Sequence, residues 1–294
     1  MTTAQPARLA LIALLTGGVA IGFAPIFFRL GELGPVATAF WRLALALPVL
    51  AAWLMAERRR YPDNRRPSSL RDVFDLAVPG LCFAADLSVW HWSLEWTSVA
   101  NSTLLCNFAP IFVTLYAWLL FRERFSITFL AGLVLAVTGA ALLIGASLSF
   151  EPQHSAGDGL ALASAQFYAG YILAVGRLRQ RFSTATIMTW TGVAATVTLL
   201  VIAVAMGERL LATTWQGWLM LAGLGLFSQA AGQSLIAYAL AHLPAAFGSV
   251  SLLMQPATAA VLAWLVLGEA LGPWQALGAG VVAAGIVVAR RGSR

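Results

Sequence analysis

The chain has 294 residues, 60% of them hydrophobic and 10% charged, and its formal net charge of +6 comes from eighteen basic residues that are all arginine. A soluble globular chain carries about 25% charged residues, so a water-soluble protein is excluded and nucleic acid is not an expected partner. Without lysine there is neither a Walker A loop nor Schiff-base chemistry, which removes an ATPase and a tethered retinal pigment; no cofactor or metal is expected.

In chain order, ten apolar runs reach the roughly 20 residues that a helix needs to cross the hydrocarbon core with its backbone bonded internally. They cover Leu9 to Phe28, Pro35 to Met55, Val73 to Trp92, Val99 to Leu119, Ile127 to Ser147, Gly159 to Gly176, Ala185 to Met206, Trp215 to Tyr238, Ala245 to Val266 and Pro273 to Ala289. The first follows Arg8 as a signal peptide would, but it outruns an h-region of about 7 to 15 residues and is read as a retained span. Pro35 and Pro273 stand where a helix can begin without their missing N–H, and Trp96, Trp215 and Trp274 mark interfaces. Cys82 and Cys106 lie in apolar segments and are expected to pack as small hydrophobes.

Arginines alternate between the gaps. The N-terminal tail and every second gap hold Arg8; Arg58, Arg59, Arg60, Arg65, Arg66 and Arg71; Arg122 and Arg124; Arg177, Arg179 and Arg181; and Arg290, Arg291 and Arg294, whereas the other gaps hold only Arg29 and Arg209. Fifteen against two places both termini in the cytoplasm, which requires an even number of spans.

The chain also repeats itself. A shift of 146 residues, without a gap, sets Leu94 on Leu240, Ala100 on Ala246, Pro110 on Pro256, Ala117-Trp118-Leu119 on Ala263-Trp264-Leu265, Glu123 on Glu269, Gly132 on Gly278 and Gly139 on Gly285. The fourth span falls on the ninth and the fifth on the tenth, so each copy holds five spans. Five is odd, and the second copy therefore enters the membrane from the opposite side, the inverted repeat of secondary transporters with a site near the midplane. The expected fold is an all-α integral membrane protein of ten transmembrane helices in two inverted five-helix repeats, residues 1–148 and 149–294, forming one transport domain.

The stretch from Trp92 through Leu94, Ala100, Pro110 and Trp118 to Glu123, echoed by Tyr238, Leu240, Ala246, Pro256, Trp264 and Glu269, resembles the EamA-type branch of the drug/metabolite transporter superfamily. Arg42 in the second span and Arg29 closing the first resemble it too. The resemblance implies a central path lined by the third, fourth, eighth and ninth spans with the first and sixth beside them, and export of amino acids, aromatic ones included, or other metabolites from a bacterial cytoplasm. Sister carriers of nucleotide sugars and phosphate esters use basic path residues, often lysine; this chain departs from them in having none.

Ionisable groups inside a membrane are costly and point to function. Arg42 lies about seven residues into its span, or ~10 Å at 1.5 Å per residue, and Asp86 lies at similar depth, so the two are expected to form an intramembrane ion pair. One reading makes that pair structural; the other makes Asp86 a proton-coupling or amine-binding carboxylate. Glu95, Glu123 and Glu269 fall at span ends and read as anchors or caps. Path candidates on the spans that the resemblance assigns are Asn101, Asn107, Gln229, Gln233, Tyr238, Ser251 and Gln255, with interhelical hydrogen bonding as the structural alternative. Gln229 and Gln233, four apart, share a helix face.

Phe83, Trp90, Phe108, Tyr168 and Tyr171 supply an aromatic lining suited to an amphipathic solute, or ordinary packing toward lipid. Pro110 and Pro256 lie within spans, where each removes a helical hydrogen bond, and are candidate hinges or static kinks. The small residues Gly132, Ala136 and Gly139 against Gly278, Gly280, Ala284 and Gly285 fit close packing inside the monomer or at a homodimer face.

His91, His154 and His242 form no ligand-spaced pair, so a membrane enzyme is disfavoured. Ten spans would also suit a channel or a non-transporting membrane scaffold, but inverted pseudo-symmetry within one chain favours alternating access. The expected function is secondary transport of small amphipathic metabolites, chiefly amino acids, out of the cytoplasm by alternating access across the bacterial cytoplasmic membrane. A carrier of another class, a drug-like cation or a nucleoside or sugar derivative, is the alternative. The expected partners are a small-molecule substrate and the lipid bilayer.

Overall fold

Hydrocarbon offers a peptide group no hydrogen bond, so a spanning chain must bond its backbone internally. In the computed structural model, which describes residues 4–97, 99–144, 154–267 and 272–293, the described residues do so with helices and no strand. Ten helical stretches are long and apolar enough to cross a membrane: Leu9–Arg29, Pro35–Arg60, Leu70–Ser93, Asn101–Phe121, Ile127–Ile144, Ser155–Leu178, Thr184–Ala205, Trp215–Ala239, Ala245–Leu262 and Pro273–Gly292. They are numbered below as spans 1 to 10. Several outrun their apolar cores; the second helix carries Arg58, Arg59 and Arg60 in its last turn, where long cationic side chains reach toward water while their stems stay on the apolar surface. The boundary expected between residues 148 and 149, Glu269 and Arg294 lie outside the described residues.

The prolines set the breaks. Pro110 has no N–H for the carbonyl of Cys106, four residues earlier, and the helix Val99–Cys106 ends there, to restart as Ala109–Phe121. Pro256 does the same to Leu252, so Ala245–Leu252 gives way to Met254–Leu267. The two interruptions sit 146 residues apart, in the register of the internal repeat.

Packing follows the same symmetry. Span 3 lies on spans 6 and 7, and its counterpart span 8 lies on spans 1 and 2; span 2 packs on span 7 and span 5 on span 10. Along the span 5 and 10 seam Gly132 lies against Ala289, Gly285 against Ala136, Gly139 against Val282 and Gly278 against Leu143. The register rises on one helix as it falls on the other, so these repeat-related spans run antiparallel and the repeat is inverted. Of the small residues foreseen in the sequence, Gly132, Ala136, Gly139, Gly278 and Gly285 are used here within one chain, whereas Gly280, with nothing within 4 Å of a Cβ, and exposed Ala284 lie off the seam.

Two clasps brace the ends. At the face carrying the turns between spans 1 and 2 and between spans 7 and 8, Glu208 accepts from the Val36 and Ala37 N–H groups at 3.2 and 2.7 Å, satisfying unpaired amides of the second helix's first turn. Reciprocally, Glu32 accepts from the Thr213 N–H and hydroxyl, both at 2.7 Å, and from the Thr214 N–H at 2.9 Å, just before span 8. At the opposite face Asp72 binds Arg65 at 3.1 Å and Arg181 at 2.7 Å, and Arg181 also reaches Asp75 at 2.7 Å.

The Thr214 N–H, followed by the Thr213 hydroxyl, holds the Glu32 carboxyl below the usual carboxylate range. A lowered folded-state value means that its stabilisation is complete above the unfolded value and is lost as pH falls through the folded one. The unfolding midpoint of the purified protein should therefore fall on acidification through the carboxylate range, less steeply in Glu32→Gln. Glu208→Ala should cost about 0.5–2 kcal/mol, as loss of a helix cap does; a thermal melt matching wild type would show that this clasp contributes nothing.

Candidate functional site

Spans 2, 3, 6 and 8 bring their polar residues to one place. Ser164, Tyr168 and Tyr171 follow a spacing of four and three on span 6, which puts them on one helix face. Phe83 and Asp86, three apart, do the same on span 3. Span 8 is not an ordinary helix: its middle, Gly223–Gln233, is π-helical, between α-helical Trp215–Ala222 and Ser234–Ala239. π-Helical turns are rare and recur at functional sites, and this one carries both Gln229 and Gln233.

Arg42 donates from Nε to Gln229 Oε1 at 2.9 Å, and its guanidinium carbon stands 5.7 Å from the centre of the Phe83 ring. Asp86 accepts from the Ser164 hydroxyl at 2.6 Å, and the Cys106 sulfur lies 3.3 Å from that same hydroxyl. Gln233 donates to the Tyr171 hydroxyl at 2.9 Å. The Tyr171 ring stacks between Phe83 at 5.0 Å and Tyr168 at 5.9 Å. Arg42, Asp86 and Tyr168 keep part of their surface open, while Phe83, Ser164, Tyr171, Gln229 and Gln233 are buried behind them. Gly225 allows the approach, since a Cβ there would meet the Arg42 carbonyl oxygen at 3.1 Å.

The ion pair expected between Arg42 and Asp86 is not closed. No nitrogen of one lies within 4.0 Å of an oxygen of the other. Neutral groups, the Gln229 amide and the Ser164 hydroxyl, have taken the place that each ion was expected to give the other.

Of the remaining candidates, Asn101 is buried and donates to Asp158 at 3.3 Å, beside the Thr97 hydroxyl at 2.6 Å from the same oxygen. Asn107 donates to the Thr103 carbonyl of its own helix at 2.8 Å, and Phe108 occupies the break before Ala109–Phe121. Ser251 turns back to the Phe247 carbonyl at 3.0 Å. Trp90 packs on His91 at 4.8 Å and Tyr238 on His242 at 4.9 Å. Gln255 holds a buried Nε2 with no partner.

Ser164 and Cys106 do not stand out as site residues in the sequence, although Ser164 precedes Tyr168 by four residues on the same face. Cys106 is not only filling, because its sulfur shares the serine that holds Asp86.

Ten spans in two inverted halves, closed around buried amides, two ions and stacked rings, are the architecture of a membrane transporter. The chain belongs to the EamA-like transporter family, which matches residues 8–145 and again residues 155–291. A probable terminal-alkyne amino-acid exporter of Streptantibioticus cattleyicolor is 28% identical over 221 residues, 74% of each chain. The threonine/homoserine exporter RhtA of Escherichia coli K12 is 28% identical over 245 residues, 83% of this chain and 77% of that one. A crystal structure of a protein with 18% identity aligns at a TM-score of 0.81, covering 100% of this chain and 99% of that one, a likeness of fold alone. The chain is thus a multi-pass membrane transporter and not an enzyme.

Proposed function

We propose that this protein exports amphipathic amino acids, aromatic ones included, from the bacterial cytoplasm by alternating access, with both termini cytoplasmic. The observation that carries the reading is the cluster of Arg42, Phe83, Asp86, Tyr168, Tyr171, Gln229 and Gln233, which joins residues from both halves. Arg42 of the first half is held by Gln229 of the second, and Asp86 by Ser164 of the second. Polar groups beside stacked rings suit a solute with a charged end and a bulky side chain. Rocking of one half on the other would change the opening of this cluster, with the breaks before Pro110 and Pro256 as the bending points. The arginine bias between gaps supports the orientation, and the two exporter relatives support the substrate class.

Counterflow tests it. Purified protein in liposomes loaded with one unlabelled amino acid should take up the radiolabelled form with no imposed ion gradient, saturably and in competition with particular amino acids. Uptake that never saturates would identify a channel. No uptake of any aromatic or aliphatic amino acid would refute the substrate assignment and turn the search to a drug-like cation or a nucleoside or sugar derivative.

A further inference from the structure

We propose that Arg42 and Asp86 are the two poles of a receptor for a zwitterion, with Arg42 taking an α-carboxylate and Asp86 an α-ammonium. The assignment rests on the amino-acid reading above and deepens it. Opposite charges in a low-dielectric interior would gain most by closing on each other, and these two do not. Each is instead held by one neutral group: Gln229 takes only the Nε of Arg42, and Ser164 takes only Oδ1 of Asp86. The guanidinium's terminal nitrogens, the fork that matches a carboxylate through two parallel hydrogen bonds, have no hydrogen-bond partner among the described residues, and neither has Asp86 Oδ2. Both ions keep accessible surface while their supports are buried. A zwitterion supplies both missing charges and leaves the complex with no added charge. A simple amine or acid would leave one pole unmatched, which is costly in such surroundings.

The inverted repeat provides an internal control for a purely structural role. Under the 146-residue shift Arg42 falls on Met188, Asp86 on Gly232 and Ser164 on Gly18. At that second crossing, of spans 1 and 8, Gly17 and Gly232 close on each other, and a Cβ on Gly17 would lie 2.7 Å from the Gly232 oxygen. The fold thus packs the same crossing with no ion. What Asp86 and Ser164 add is not needed to join the helices.

Binding to the detergent-purified full chain should be measured by calorimetry for L-phenylalanine, 2-phenylethylamine and 3-phenylpropionate, and for L-leucine with its corresponding amine and acid. In wild type the preferred amino acid should bind at least tenfold tighter than either relative. In Arg42→Gln its advantage over the amine should shrink to less than threefold while that over the acid persists; in Asp86→Asn the reverse should hold.

Equal weakening of all three ligands in both variants would assign the residues a structural role and overturn the proposal. So would a wild type that binds amine or acid as tightly as the amino acid, an outcome that needs no variant to fold. Counterflow of amino acids together with such flat selectivity would remove the receptor alone; absence of counterflow for every amino acid would remove the exporter reading with it.

Discussion

Gly139→Val should destabilise the protein by about 3 kcal/mol or more, at the upper end of what overpacking a close-packed interior costs. A Cβ at Gly139 would stand 2.5 Å from the Val282 nitrogen and 2.9 Å from the Gly278 oxygen. These are backbone atoms of a facing helix, which no rotamer change can move aside. The seam residues on span 5, Phe129, Gly132, Ala136, Gly139 and Leu143, alternate steps of three and four, and those on span 10 do likewise. That spacing holds two helices side by side over their whole length, so one bulky residue must pry them apart or shift their register. Gly280→Val is the control, since nothing lies within 4 Å of a Cβ there, and it should stay within about 0.5 kcal/mol of wild type. Thermal unfolding followed by size-exclusion chromatography reads both. Equal melting of Gly139→Val and Gly280→Val would mean that the seam does not hold the two halves together.

The seam and the breaks were legible in the sequence because the membrane leaves so few solutions. Length and apolarity give spans, Pro110 and Pro256 end helices four residues upstream, and an odd number of spans per copy dictates inversion. Charges were legible as costs: Arg42 and Asp86 stand out in any apolar stretch. Their partners were not. Pairing them with each other is the natural reading of two opposite charges at one depth, but a serine is unremarkable in a membrane helix, and nothing in the pattern says that Ser164 faces Asp86.

Asn101, Asn107 and Ser251 failed to join the cluster for a related reason. Short polar side chains compete for nearby backbone and side-chain groups, and these are taken up by Asp158, Thr103 and Phe247. The clasp carboxylates Glu32 and Glu208 were hidden because each serves a helix distant in sequence, as a charged partner for a helix start.

The π-helical stretch of span 8 was hidden as well, for its hydropathy resembles any other span. Only Gly223, Gly225 and Gly232 hint at a backbone free to widen. It explains how two glutamines reach different partners, Gln229 toward Arg42 on span 2 and Gln233 toward Tyr171 on span 6. Deleting Ala231, which is exposed, should therefore impair transport by at least about tenfold while leaving the fold assembled. Removing one residue shortens the wide stretch, turns the last part of span 8 on its first part and brings the glutamines from four apart to three. The two hydrogen bonds cannot then both form, and the one to Arg42 involves a charge, a class worth about 1.5–3 kcal/mol, or roughly ten- to more than a hundredfold. Ala231→Leu should transport as wild type does, because Ala231 is exposed where Gln229 and Gln233 are buried. Counterflow rates for the two variants, beside their helix content by circular dichroism, make the comparison. A deletion variant as active as wild type would show that the wide turn is not required for transport, whereas loss of activity with helix content intact would tie transport to the joint reach of Gln229 and Gln233.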